Sequence, residues 1–124
     1  MSSGSRRPRE RPAAVPESLR PVLSGLSDRK AVDVVVLDLR GLSEATDYFV
    51  IASGTSDAHV RGMADHLLAL PGLAGPHHVE GLTQGRWVLL DYVDFVVHLF
   101  HPELRGFYQL ERLWGEAPVV AGAD

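Results

Sequence analysis

The chain contains no cysteine. Disulfides, thiolate nucleophiles and cysteine-ligated zinc are therefore excluded, and the composition fits a reducing compartment; a cytoplasmic protein is expected. Also missing is any apolar run approaching the roughly 18 residues of a membrane-spanning helix, so no membrane association is expected. The opening stretch, MSSGSRRPRERPAAVP, has no apolar segment of the kind a secretory signal needs, and Pro8, Pro12 and Pro16 work against the amphipathic helix of a transit peptide. Residues 1–16 are read as a disordered basic tail. Basic residues are scarce beyond it. The tail holds Arg6, Arg7, Arg9 and Arg11 against Glu10, a balance of +3, which leaves 8 basic and 15 acidic residues, or −7, for the remainder. A folded part of that sign is repelled by phosphate backbones, so specific nucleic-acid binding by the domain is not expected, and a basic protein surface suits it better.

What is present is one domain's worth of core. The 124 residues are 45% apolar, with a mean hydropathy near zero, which is ordinary for a single globular domain. The domain is taken as residues 17–116, with 117–124 a loose C-terminal tail. Leu19, Val22, Leu23 and Leu26 share a helical face in a short helix starting near Ser18. AVDVVVLDL, residues 31–39, has β-branched residues on both alternation sets and predicts a central strand buried on both faces. DYFVIAS, residues 47–53, predicts a second strand. Thr55 or Ser56 caps a helix in which Val60, Met63, Ala64, Leu67 and Leu68 recur at helical spacing until Pro71-Gly72 ends it. A short extended piece spans His77 to Gly81. Arg86–Asp91 and Asp94–Phe100 form a hairpin with Tyr92-Val93 at its tip, so that 91 pairs with 94, 89 with 96 and 87 with 98. Pro102 opens a last helix carrying Leu104, Phe107, Leu110, Leu113 and Trp114. The sum is an α/β (α+β) fold, a mixed five-stranded sheet with helices packed against it.

Alternation sorts the hairpin into two faces. Val88, Leu90, Phe95, Val97 and Leu99 make one wholly apolar face, expected to be core. Trp87, Leu89, Asp91, Asp94, Val96 and His98 make the other, an apolar patch around an indole with acidic neighbours, which is the usual make-up of an interface anchor. The alternative is that a helix or second subunit covers this face, making Trp87 ordinary core. Asp91 and Asp94 should oppose each other across the strands, a like-charge pair that a basic partner would relieve.

The segments AVDVVVLDLRGLSEATDYFVIASGTSDAHVRGMADHL and VEGLTQGRWVLLDYVDFVVHLFHPELRGFYQLERLW, residues 31–67 and 79–114, resemble the ribosomal silencing factor (Iojap-like) family. The resemblance implies a fold related to the nucleotidyltransferases and a non-enzymatic translation repressor without cofactor. Such a protein binds the large ribosomal subunit through ribosomal protein fourteen, blocks association with the small subunit, and forms a homodimer when free. It also favours partner contact for Trp87, Leu89, Asp91, Tyr92, Asp94, Val96 and His98. Asp47, Tyr48, Glu80 and Glu111 match the family pattern as well and are assigned to structural hydrogen bonds or to the dimer. One departure lies at Val93, where the family usually has glycine.

Two rival chemistries have footholds. Six histidines invite a metal site, but His59 and His66 lie two helical turns apart without a third ligand, and His77 and His78 point to opposite sides of an extended segment, so no metal is expected. The Gly54–Asp57 loop before a helix could cradle phosphate in a nucleotidyltransferase-like enzyme. It has no P-loop lysine and no carboxylate cluster for metal ions, so Thr55 and Ser56 are read as a helix cap.

Overall fold

In the computed structural model, which describes residues 15–104 and 119–122, Val36 and Leu37 are neighbours on one strand, point to opposite faces and are both buried. Both faces of the sheet are therefore covered at its centre, as the β-branched run around them requires. The chain enters through a 3-10 turn, Glu17–Leu19, that leads into α1 (Arg20–Asp28), with Pro21 in the first turn where its missing N–H is harmless. Then follow β1 (Val32–Asp38), β2 (Tyr48–Ser53), α2 (Asp57–Leu68), β3 (His78–Glu80), β4 (Trp87–Asp91), β5 (Phe95–Phe100) and β6 (Val119–Gly122). The spatial order is β3-β4-β5-β2-β1-β6. Among the described residues only the β2–β5 pairing is parallel; the other four are antiparallel.

The mixed sheet with packed helices is the expected fold, with one more strand than anticipated. Val119–Gly122, assigned from sequence to a loose tail, pairs with β1 along Val35, Val36 and Leu37. The physical reason is edge protection: without β6, the doubly apolar β1 would carry an open row of backbone donors and acceptors. At the other terminus, Val15 was assigned to the basic tail, yet it packs against the core. Pro102–Leu104, where the last helix was expected to start, are helical. The rest of that expected helix, including Phe107, Leu110, Glu111, Leu113 and Trp114, lies outside the described residues, as do residues 1–14.

Both described α-helices lie on one face of the sheet. Val22 and Leu26 from α1, and Val60, Met63, Ala64 and Leu67 from α2, close over Val50, Ala52, Val88, Leu90, Val97 and Leu99. Burial of each large aliphatic here contributes on the order of 1.5–3 kcal/mol. Gly25 permits the helices to approach, since a Cβ there would lie 2.9 Å from Leu67 Cδ2. Ser56 is the N-cap of α2, its Oγ accepting the His59 N–H at 3.0 Å. On the opposite face a smaller cluster joins Leu37, Leu39, Ile51 and Phe100, with Phe49, Trp87, Leu104 and Val119 packed against it.

Candidate docking face

β4 alternates as its sequence demands. Val88 and Leu90 are buried against the helices, whereas Trp87, Leu89 and Asp91 face the other way and are half-buried. Their partners differ from the expected ones. Trp87 pairs with Phe100, Leu89 with His98 and Asp91 with Val96, a register displaced by two residues. The tip is Val93-Asp94, closed by the Tyr92 N–H donating to the Phe95 carbonyl at 2.9 Å. A displacement of two preserves side-chain alternation, so the division into faces survives for every strand residue.

The cause of the displacement is Tyr92. Its ring stacks on Phe95 with centroids 4.7 Å apart and packs against the helix-side core, which draws it out of the turn and into the ladder. Tyr92 therefore lies on the face opposite Trp87 and does not join the expected contact set. Burial raises its phenol pKa. Asp91 and Asp94 do not oppose each other either: Asp94 sits exposed at the tip, while Asp91 Oδ1 accepts the Val93 N–H at 2.8 Å.

Val96 and His98 share the face of Trp87 but are only 9% and 5% exposed. β5 lies inside the sheet, between β4 and β2, and all six of its residues are buried. These two residues are thus unavailable to a partner in the folded chain. The His98 ring packs edge-on against Phe49, centroids 4.6 Å apart, and lies beside the Phe100 ring. Its Nδ1 accepts the Trp87 Nε1–H at 3.1 Å. Burial pulls its pKa down to about 4, so it is neutral at pH 7. The proton then resides on Nε2, which is buried without a hydrogen-bond partner among the described residues.

These contacts fix how the indole is presented. Trp87 stacks on Phe100, centroids 5.0 Å apart and planes 26° from parallel, and its N–H is turned inward to His98. The remaining surface of the ring is apolar.

Two residues beside Trp87 were not assigned to the site from sequence. β3 is an edge strand in which Glu80 pairs with Leu89 and His78 with Asp91, which puts Glu80 and His78 on the same face as the indole. The His78 Nε2–H donates to Glu80 Oε2 at 2.6 Å. Gly81 follows at φ +79, and a Cβ there would meet the Trp87 carbonyl. Only glycine lets β3 end directly on the Trp87 backbone. The signal for Glu80 was in the sequence, in the alternation of His77–Gly81, but it acquires meaning only through the β3–β4 pairing.

The resulting site is a half-buried indole and leucine bordered by Glu80 and Asp91 at one edge of the sheet. The rival sites differ in kind. A cleft of about 590 Å³ opens beside the Gly54–Asp57 loop, lined in part by Arg29, Lys30, Thr55 and His59. Two donors at the loop are engaged within the protein: the Thr55 N–H donates to His59 Nδ1 at 2.9 Å, and His59 Nε2–H donates to the Arg29 carbonyl at 2.7 Å. Among the described residues no group of three or more histidine, aspartate or glutamate side chains gathers as metal ligands, and no helix is long and apolar enough to cross a membrane.

A family model described as "Ribosomal silencing factor during starvation" matches residues 12–124. The chain is 41% identical over 106 residues to a ribosomal silencing factor of Halalkalibacterium halodurans, covering 84% of this chain and 91% of that one. It is 36% identical over 98 residues to the mouse protein named mitochondrial assembly of ribosomal large subunit protein 1, covering 75% of this chain and 43% of that one. Its fold is similar to a crystal structure of a Chromobacterium violaceum protein, with a TM-score of 0.76 and 31% identity over 83% of this chain and 88% of the other.

Proposed function

Since the chain belongs to the ribosomal silencing factor family, we propose that it docks on the large ribosomal subunit at ribosomal protein fourteen, keeps the small subunit from joining, and so represses translation. The observation that carries this reading is the oriented indole of Trp87, half-buried beside Leu89 and flanked by Glu80 and Asp91. Aromatic anchors in a partly desolvated, well-packed setting contribute most of the affinity in protein interfaces, and carboxylates around one select a basic partner surface. No reaction is required. A folded domain held on the face where two subunits meet excludes the second by volume, and its effect is set by mass action between factor and docking surface. The protein acts in the cytoplasm and is a homodimer when free.

The test is sucrose-gradient sedimentation of purified large and small bacterial subunits with the full chain added. The expected result is loss of joined ribosomes and co-migration of the protein with the large subunit. Joined ribosomes at undiminished yield, with the protein left at the top of the gradient, would end this reading.

A further inference from the structure

Between β3 and β4, on the face of the indole, a cavity of about 170 Å³ is lined by Glu80, Gly81, Trp87 and Leu89. Its volume suits one side chain and no more. Trp87 and Leu89 supply apolar walls. Leu89 and Gly81 offer no polar side-chain group, and the Trp87 N–H is committed inward to His98. The only side-chain polar group the slot offers is the Glu80 carboxylate, a hydrogen-bond acceptor carrying negative charge. Its Oε2 is engaged by His78, and Oε1 makes no hydrogen bond among the described residues. An occupant must therefore combine a long apolar stem with a charged donor at its end. We propose that this slot receives a single arginine or lysine side chain of the large-subunit protein on which the chain docks, its alkyl stem lying along Trp87 and Leu89 and its cationic head meeting Glu80.

The proposal rests on the docking reading above and goes further, because it names the group recognised. Ribosomal RNA is excluded as occupant: its backbone presents anions, which Glu80 and neighbouring Asp91 repel. Among the twenty side chains only arginine and lysine join such a stem to a permanent positive charge. Gly81 is part of the construction, since its close approach to the Trp87 backbone closes one end of the slot.

The test measures co-sedimentation of the full chain with purified large subunits over a series of salt concentrations, comparing wild type with Glu80→Gln, Glu80→Asp and Trp87→Ala, each first checked for a native circular dichroism spectrum and a thermal midpoint well above the assay temperature. Glu80→Gln should weaken binding about 5- to 20-fold at low salt and flatten its salt dependence. Glu80→Asp, which keeps the charge on a shorter stem, should recover part of the affinity. As a second arm, arginine amide in solution should displace the protein at lower concentration than citrulline amide, which keeps the stem and donors without the charge. If Trp87→Ala abolishes binding while Glu80→Gln stays within twofold of wild type at every salt concentration, docking stands and the cationic slot falls. If neither substitution changes binding, the docking face itself is wrong and the slot falls with it.

Discussion

The helix-covered face of the sheet and the face bearing Trp87 are built from the same strands, residue by alternating residue, but they are finished differently. On the first, Val50, Val88, Leu90, Val97 and Leu99 are fully buried beneath α1 and α2. On the second, Ile51, His98 and Phe100 are buried and burial declines toward β4, where Trp87, Leu89 and Asp91 are half-buried. The first face also takes no polar side chain from β4 or β5 apart from the Tyr92 hydroxyl at the hairpin end, whereas the second accepts a histidine at its centre and an aspartate at its border. A face that only has to hold the fold together can be closed and apolar. One that must also meet a partner keeps a graded edge, with buried rings behind the half-buried indole to hold it still.

Leu89 and Leu90 put the comparison to its largest test, because they are adjacent on β4 and face opposite ways. Leu90→Ala should destabilise the fold by about 3 kcal/mol, in the range for a fully buried leucine replaced in a packed core. Leu89→Ala should cost about 1 kcal/mol or less in stability, because its side chain is only half-buried, yet weaken binding to the large subunit. Urea unfolding and gradient binding read the two quantities separately. Equal losses of stability at both positions would abolish the distinction between the faces.

Acid should weaken the second face selectively. In the folded chain His98 titrates near 4; in the unfolded chain its value is about 6.5. Between those values the unfolded state holds a proton that the folded state lacks, so falling pH favours unfolding. The stability linked to neutral His98 is complete above pH 6.5 and is lost as pH drops toward 4, by about 2 kcal/mol at pH 5. Protonation would also fill Nδ1, the acceptor of the indole N–H. His98→Phe, which cannot titrate, should therefore unfold with less difference between pH 7 and pH 5 in urea than wild type does. Identical pH slopes for the two proteins would show that His98 is not the titrating group.

Trp87→Ala comes next. It should reduce affinity for the large subunit by about 2 kcal/mol and lower the thermal midpoint, since the stacking on Phe100 and the bond to His98 go with it, while the circular dichroism spectrum stays native at the assay temperature. Native-like affinity from a correctly folded variant would remove the indole from the interface.

Much of this division could be read from alternation alone. The opposed faces of β4 follow from W-V-L-L-D, and the helical spacing of Val60, Met63, Ala64 and Leu67 placed α2 correctly against the core. What alternation could not supply was the neighbourhood of each strand. β5 lies inside the sheet through a parallel pairing with β2, more than forty residues away in sequence, and there the helices cover one of its faces while the rings of Phe49, Trp87 and Phe100 surround His98 on the other; hence Val96 and His98 read as a free face and are not one. The hairpin reading did set His98 across from Trp87, but the two are diagonal neighbours, since Leu89 faces His98, and histidine reads as polar, so neither its burial nor its bond from the indole N–H was foreseen. Glu80 joined the site only once β3 was seen beside β4, and Val119–Gly122 became a strand only because β1 needs a neighbour. Tyr92 was misplaced for another reason: a tyrosine between two acidic positions looks like turn, but its ring gains more by stacking on Phe95 than by facing water.

Val93 belongs to neither face and gives the smallest effect. It occupies the first position of the hairpin tip at φ +78, a conformation that crowds a β-branched side chain and that hairpins ordinarily assign to glycine. Its side chain is 48% exposed, so little packing opposes the strain. Val93→Gly relieves that strain, of order 1–3 kcal/mol, and gives back part of the gain through the greater freedom of glycine in the unfolded chain. The net expectation is a stabilisation of about 1 kcal/mol, a rise of about 4 °C in the thermal midpoint of a domain this size. Binding to the large subunit should be unchanged, since the two-residue tip fixes the same register with either residue and Trp87, Leu89 and Glu80 stay where they are. Calorimetry and gradient sedimentation together test this. A loss of affinity in the stabilised variant would mean that the tip takes part in docking, and that the site extends past the half-buried stretch of β4 to the exposed turn.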